Sequence, residues 1–128
     1  MAGEGRKKLR PLCDTVELAI TSSPAGSLRD FIRPTAHPDA ERLAEYLSRA
    51  PWLEVIPGVT RDALVAESPA SLEMHTLTDG VWAWRIDLAH YVRTHRVWPP
   101  DEFIEHARAA GWRPPAEEEI DFSTFRLE

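Results

Sequence analysis

Apolar residues recur along this chain at two periods, near 3.6 and near 2, and the changeovers between them divide it into elements. Over residues 39–50, Leu43, Tyr46, Leu47 and Ala50 recur at spacings of three and four, while Glu41, Arg42, Glu45 and Arg49 take the opposite side. That pattern predicts an amphipathic helix. Pro38 near its start and Asp39 and Glu41 in its first turn suit the helix dipole, and Pro51 stops it. Over 86–96, Leu88, Tyr91, Val92 and His95, with Trp84 just upstream, fall within about a third of the circumference, which predicts a second helix. A third is expected at about 100–110, with Pro100, Asp101 and Glu102 at its start, Phe103, Ile104 and Ala107 inward, and Gly111 as its stop.

Between these segments the period shortens. Val16, Leu18 and Ile20 alternate within 14–21 and predict a strand; 22–27 (SSPAGS) reads as a loop, and 28–33 as a single helical turn. Residues 52–56 predict a short strand before the Pro57-Gly58 turn. Residues 59–70 fit either a strand or a loose helical turn, and 71–78 reads as a strand. Asp79-Gly80 is a hairpin dipeptide that suits a type I′ turn, and 81–84 continues as the return strand, with Trp82 and Trp84 on one face. The expected fold is α+β: a small, mostly antiparallel sheet packed against about three helices. Three parts are expected. Residues 1–12 form a flexible basic arm carrying Arg6, Lys7, Lys8 and Arg10; 13–112 form one α+β domain; 113–128 form an acidic tail that Ile120, Phe122, Phe125 and Leu127 could dock.

Composition narrows the function classes. A chain of 128 residues can bury a core, and its 43% hydrophobic and 28% charged residues are those of a globular protein. The net charge of −6 argues against nucleic acid as a partner and suits a basic one. No stretch is long and apolar enough for a signal peptide or a membrane span, so a cytoplasmic location is expected, without a membrane partner. The preference for Arg over Lys, with abundant Ala and Pro, matches a GC-rich bacterial genome. One cysteine, Cys13, allows neither an internal disulfide nor a Cys-rich zinc site.

Several side chains carry candidate chemistry. Asp87 and His90, at i and i+3 on the second helix, could act as a carboxylate-oriented acid–base pair, although a solvated helix flank uses the same residues. His95 sits in the apolar stripe beside Tyr91, where a satisfied boundary histidine is the ordinary case. His106 follows Glu102 at i+4 and is expected to pair with it. His75, His90, His95 and His106 are scattered, and a spacing of five keeps the His90 and His95 rings off a common helix face. No metal and no cofactor is therefore expected, and no Gly-rich phosphate loop is present. Arg85, Arg93 and Arg96 form a basic stripe that could grip an anion or a partner. Of the five tryptophans, Trp98, in the connector between helices, is expected to be the most exposed. Trp98, Arg85, Arg93, Arg96 and Glu102 are accordingly the candidate partner-binding residues.

The stretch 79–112, DGVWAWRIDLAHYVRTHRVWPPDEFIEHARAAGW, resembles small uncharacterised proteins of actinobacteria that share a DG turn, a W-x-W strand, a D-L-x-x-Y-V helix and a Pro-Asp-Glu-Phe helix. Pro99-Pro100 departs from that pattern, where one apolar residue precedes a single proline. The resemblance spans about a quarter of the chain and implies an immunity or accessory protein encoded beside a larger partner. The expected function is thus non-enzymatic recognition of a larger protein partner, with a homo-oligomer compatible with it. The alternative is a small enzyme or ligand-binding protein using Asp87, His90, Tyr91 and His95 in a pocket between sheet and helices.

Overall fold

The computed structural model describes residues 7–126. Eight strands and three helices follow in the order β1 (Lys7–Lys8), β2 (Arg10–Pro11), α1 (Ala40–Arg49), β3 (Trp52–Glu54), β4 (Val59–Thr60), β5 (Leu72–Glu73), β6 (Thr76–Thr78), β7 (Trp82–Arg85), α2 (Leu88–His95), α3 (Asp101–Ala109) and β8 (Phe125–Arg126). The main sheet has four strands in the order β2-β7-β6-β3. β6 pairs antiparallel with both β7 and β3, while β2 runs parallel to β7. β4 and β5 form an antiparallel ribbon, and β1 pairs parallel with β8. The fold is a small α+β arrangement of three helices and a mixed sheet.

The helices form where the 3.6-residue period placed them. Leu43, Ala44, Tyr46 and Leu47 of α1 are buried, as are Leu88, Ala89, Tyr91 and Val92 of α2 and Phe103, Ile104 and Ala107 of α3. They close over Leu77, Trp82 and Trp84 of the sheet. Phe103 stands at the centre, edge-on to Trp84, Trp82 and Tyr46 at ring separations of 5.5, 5.6 and 5.9 Å. Such T-shaped contacts bring the positive ring edge to a neighbour's negative face. Both tryptophans of β7 thus share the core face, as their spacing of two implies.

Several local expectations are corrected. Residues 14–21 form no strand. Asp14 Oδ1 accepts the amides of Ile20 (2.8 Å) and Thr21 (3.3 Å), and Thr15 Oγ1 accepts that of Leu18 (3.3 Å), so side chains take donors that a ladder would have used. The alternation fails with it, since Val16 is 67% exposed while Leu18 is buried. The next segment winds into a 3₁₀ turn, Leu28–Phe31, as expected, with Glu17 accepting from the Ser27 hydroxyl and the Leu28 amide. The 71–78 strand is split into β5 and β6. At the hairpin only Gly80 has positive φ (92°), the φ pattern of a type II′ turn, not type I′. With Thr78 opposite Ala83, the central positions of the turn are Gly80 and Val81, and Asp79 precedes them and closes the turn with its side chain, Oδ1 accepting the amides of Val81 and Trp82 at 3.0 and 2.8 Å.

The basic arm is also only partly an arm. Arg10–Pro11 is an edge strand, Leu9 and Leu12 are buried, and the Arg10 guanidinium lies 4.0 Å over the Trp82 ring. Residues 1–6 lie outside the described residues. In the expected tail, Glu117–Glu119 and Phe122–Thr124 make 3₁₀ turns and β8 follows them; Leu127 lies outside the described residues.

Cys13 ends up buried beneath this edge, and burial pushes its thiol up to about 12. Relative to an ordinary thiol, that leaves roughly a thousandfold less thiolate at neutral pH. An aromatic disulfide reagent is therefore expected to label the folded chain at least ~100-fold more slowly than the urea-unfolded chain. Equal rates, followed by absorbance, would mean that the edge opens readily.

Candidate functional site

The loop joining β4 to β5 is tied down along its length. Ser71 N donates to the Thr60 carbonyl (3.0 Å), Arg61 Nη1 to the Ser68 carbonyl (2.8 Å) and Asp62 N to Ser68 Oγ (3.0 Å). One of its contacts with α2 comes through Tyr91, a buried residue of the helix. The Tyr91 hydroxyl accepts the Ala63 amide at 2.7 Å and so fixes the neighbouring Asp62 over the helix. Asp62 Oδ1 accepts the Leu64 amide at 2.8 Å, an Asx turn that sets the carboxylate's orientation.

The second oxygen is then presented to two imidazoles. Asp62 Oδ2 lies 2.6 Å from His90 Nε2 and 2.6 Å from His95 Nε2. The rings stand 5.7 Å apart at 75° to each other, and His95 leans on Tyr91 with ring centres 5.7 Å apart. This corrects the expectation that a spacing of five separates the rings. Their Cα–Cβ vectors do diverge by ~140°, but both side chains turn back toward a carboxylate that a distant loop places between them. His95 is the last residue of α2, and Arg96 behind it takes the left-handed conformation, φ 57°.

Burial raises the Asp62 carboxyl, yet the hydrogen bonds from His90, His95 and the Leu64 amide, with the charge at His95, outweigh it and hold the group below the usual carboxylate range. The Tyr91 hydroxyl is raised, first by burial and then by the negative charges of Asp62 and Asp87. The site opens toward solvent on the histidine side, where the side chains of His90 and His95 are 31% and 20% exposed against 9% for Asp62.

Asp87 does not join this group. It forms a two-pronged ion pair with Arg85, at 2.9 and 2.6 Å, in which the Asp87 side chain is almost wholly enclosed. Its carboxylate is spent on Arg85 and caps no helix amide. The remaining candidates are likewise engaged within the chain. Arg93 pairs with Glu41 at 2.8 Å, and Glu102 makes a two-pronged pair with Arg10 at 2.7 and 2.9 Å. Arg96 Nε donates to the Arg33 carbonyl and Trp98 Nε1 to the Thr35 carbonyl, each at 2.9 Å, so both clip residues 31–35 against the connector. His106 pairs with Asp79 Oδ2 at 2.9 Å, not with Glu102, which Arg10 has taken.

Nor is Trp98 the most exposed tryptophan. That is Trp52, at 47%, whose ring stacks on His75 with centres 4.3 Å apart. The clefts formed at Arg49–Trp52 with Pro115–Glu117, and at Phe31 and Arg33 with Trp98–Asp101, are lined by other side chains than the His90, Tyr91 and His95 group.

Sequence reasoning missed Asp62 altogether. The only local signal was an acidic residue in a segment without period, and its significance comes from a contact made across the fold. Fold and site together define a small α+β protein with an Asp–His–His cluster between a ribbon loop and a helix. No family model matches the chain, and neither does any curated protein or solved structure.

Proposed function

We propose that this chain is a non-enzymatic binding protein, of accessory or immunity type, that docks a larger protein partner along its β3 edge. The observation that carries this reading is a row of exposed apolar side chains. Trp52 (47%) lies on β3, the outermost strand of the main sheet, Val55 (60%) just past its end and Val59 (51%) on β4 of the neighbouring ribbon, all within eight residues of sequence. A half-exposed tryptophan is a typical interface anchor, and the exposed valines near it extend the apolar surface. Exposed Glu54 and Glu73 lie alongside and suit a basic rim on the partner. The charged residues first considered for this role already make ion pairs or hydrogen bonds within the chain, Arg85 with Asp87, Arg93 with Glu41, Arg96 with the Arg33 carbonyl and Glu102 with Arg10.

The test is affinity capture with the intact chain and with Trp52→Ala/Val55→Asp, whose side chains contribute little to the core. A larger protein retained in stoichiometric amount by the parent and lost by the variant, with unchanged circular dichroism, is the expected result. Capture that the variant matches, or recovery of the chain alone, would remove the basis for this reading. A second reading, ligand binding or catalysis through Asp87, His90, Tyr91 and His95, is favoured by one observation: His90, Tyr91 and His95 converge on residues 62–63. Asp87, held by Arg85, takes no part in it.

A further inference from the structure

We infer that Asp62, His90 and His95 form a binding site for a divalent first-row transition-metal ion of the zinc type. The inference is independent of any protein partner. One donor atom from each of Asp62, His90 and His95 lies within 4.8 Å of the others, so a single ion could reach all three. Two imidazoles and one carboxylate are the donors that zinc, nickel, cobalt and ferrous iron accept, whereas calcium and magnesium prefer oxygen alone.

The hydrogen-bond geometry points the same way. For both rings to donate to one carboxylate oxygen, each must carry its proton on Nε2. Both Nε2 atoms then converge, at 2.6 Å each, on an oxygen that can itself coordinate. An ion replacing those two protons needs metal–nitrogen and metal–oxygen distances of about 2.0–2.2 Å. In a tetrahedral arrangement that separates the donors by ~3.3 Å. Each Asp62–histidine pair at 2.6 Å has then to open by about 0.7 Å, and the two histidine donors, no more than 4.8 Å apart, to close by at most ~1.5 Å, changes within reach of side-chain rotation.

Two further features fit a metal centre. Asp62 is oriented by the Leu64 amide, and its loop is anchored by Tyr91 through Ala63, which are supporting contacts of the sort that hold metal ligands in place. The partly exposed histidines provide an entry path, and three protein donors leave a fourth position for water.

The experiment is titration of the full chain with Zn²⁺ by calorimetry, and with Co²⁺ by visible absorption, in chelator-free buffer. One ion per chain with micromolar or tighter affinity is expected, and Co²⁺ should give the absorption of a site with nitrogen ligands. Asp62→Asn keeps an oxygen for the Leu64 amide and so preserves the loop, and His95→Ala removes one ring. Each should weaken Zn²⁺ binding by more than ~100-fold, beyond the loss typical of an outer supporting residue. Tyr91→Phe, which removes only such a support, should cost ~10-fold with the stoichiometry unchanged. Absence of Zn²⁺ binding by the parent chain would overturn the assignment, as would binding that persists undiminished in Asp62→Asn and His95→Ala.

Discussion

Replacing Asp79 by alanine is expected to destabilise the fold by about 3–5 kcal/mol, a large share of the ~5–15 kcal/mol available to a domain. The reason is the number of donors that converge on one buried carboxylate. Oδ1 accepts the amides of Val81 and Trp82, and Oδ2 accepts the Tyr46 hydroxyl at 2.7 Å and faces His106 Nε2 at 2.9 Å. Alanine leaves the turn's amides and the buried Tyr46 hydroxyl without an acceptor, and unpaired buried donors retain their full desolvation cost. Burial, with the hydrogen bond and charge of Asp79, raises the Tyr46 hydroxyl strongly, so it stays protonated and a donor throughout the neutral range. Asp79→Asn retains Oδ1 for the two amides and should lose only about 1–2 kcal/mol. Urea unfolding with an unchanged slope is the measurement. A loss below ~1 kcal/mol for alanine would mean that the turn finds other acceptors.

An effect of similar size, about 3–5 kcal/mol, is expected for Trp84→Ala. Trp84 is fully buried between Tyr46 and Phe103, and its removal leaves a void at the junction of sheet and helices. A second, smaller contribution comes from the indole N–H, which donates to the Leu47 carbonyl at 2.8 Å. In a continuing helix that carbonyl would accept from the residue four places on, but that residue is Pro51, which has no N–H. Trp84 thus supplies the donor that the end of α1 lacks. Trp84→Phe fills most of the void and leaves the carbonyl unpaired, so about 1–2 kcal/mol is expected. If phenylalanine proved as costly as alanine, the hydrogen bond would outweigh the packing; if it cost nothing, the carbonyl would have found another donor.

The three helices and the sheet that they cover were legible in the sequence because burial imposes a period on them. Leu43, Tyr46 and Leu47, or Phe103, Ile104 and Ala107, announce an inward face whatever lies opposite. What stayed hidden was decided by single polar groups acting across space. Asp14 and Thr15 divert the amides of 14–21 from a ladder, although the alternation of Val16, Leu18 and Ile20 suggested one. Asp79 closes the hairpin with its side chain, so the dipeptide did not reveal the turn type. The candidate site divides in the same way. His90, Tyr91 and His95 could be picked out because they lie on a predictable helix. Asp62 could not, since its loop meets that helix only through contacts made across the fold, from Tyr91 to Ala63 and from His90 and His95 to Asp62 itself. The charged candidates Arg85, Arg93, Arg96 and Glu102 were visible as charges, but nothing local disclosed that each already had a mate within the chain.

Pairing Arg10 with Trp82 sets β2 beside a strand that lies most of the chain away, and β1 meets β8 across a still longer separation. Closing such loops costs entropy before any contact repays it. During synthesis, which proceeds from the N-terminus, β1 and β2 leave the ribosome well before β8 and β7 and must therefore wait unpaired until these emerge. Leu9 and Leu12, sealed in the finished molecule, stay open to water over that interval, a period of vulnerability that the native state conceals.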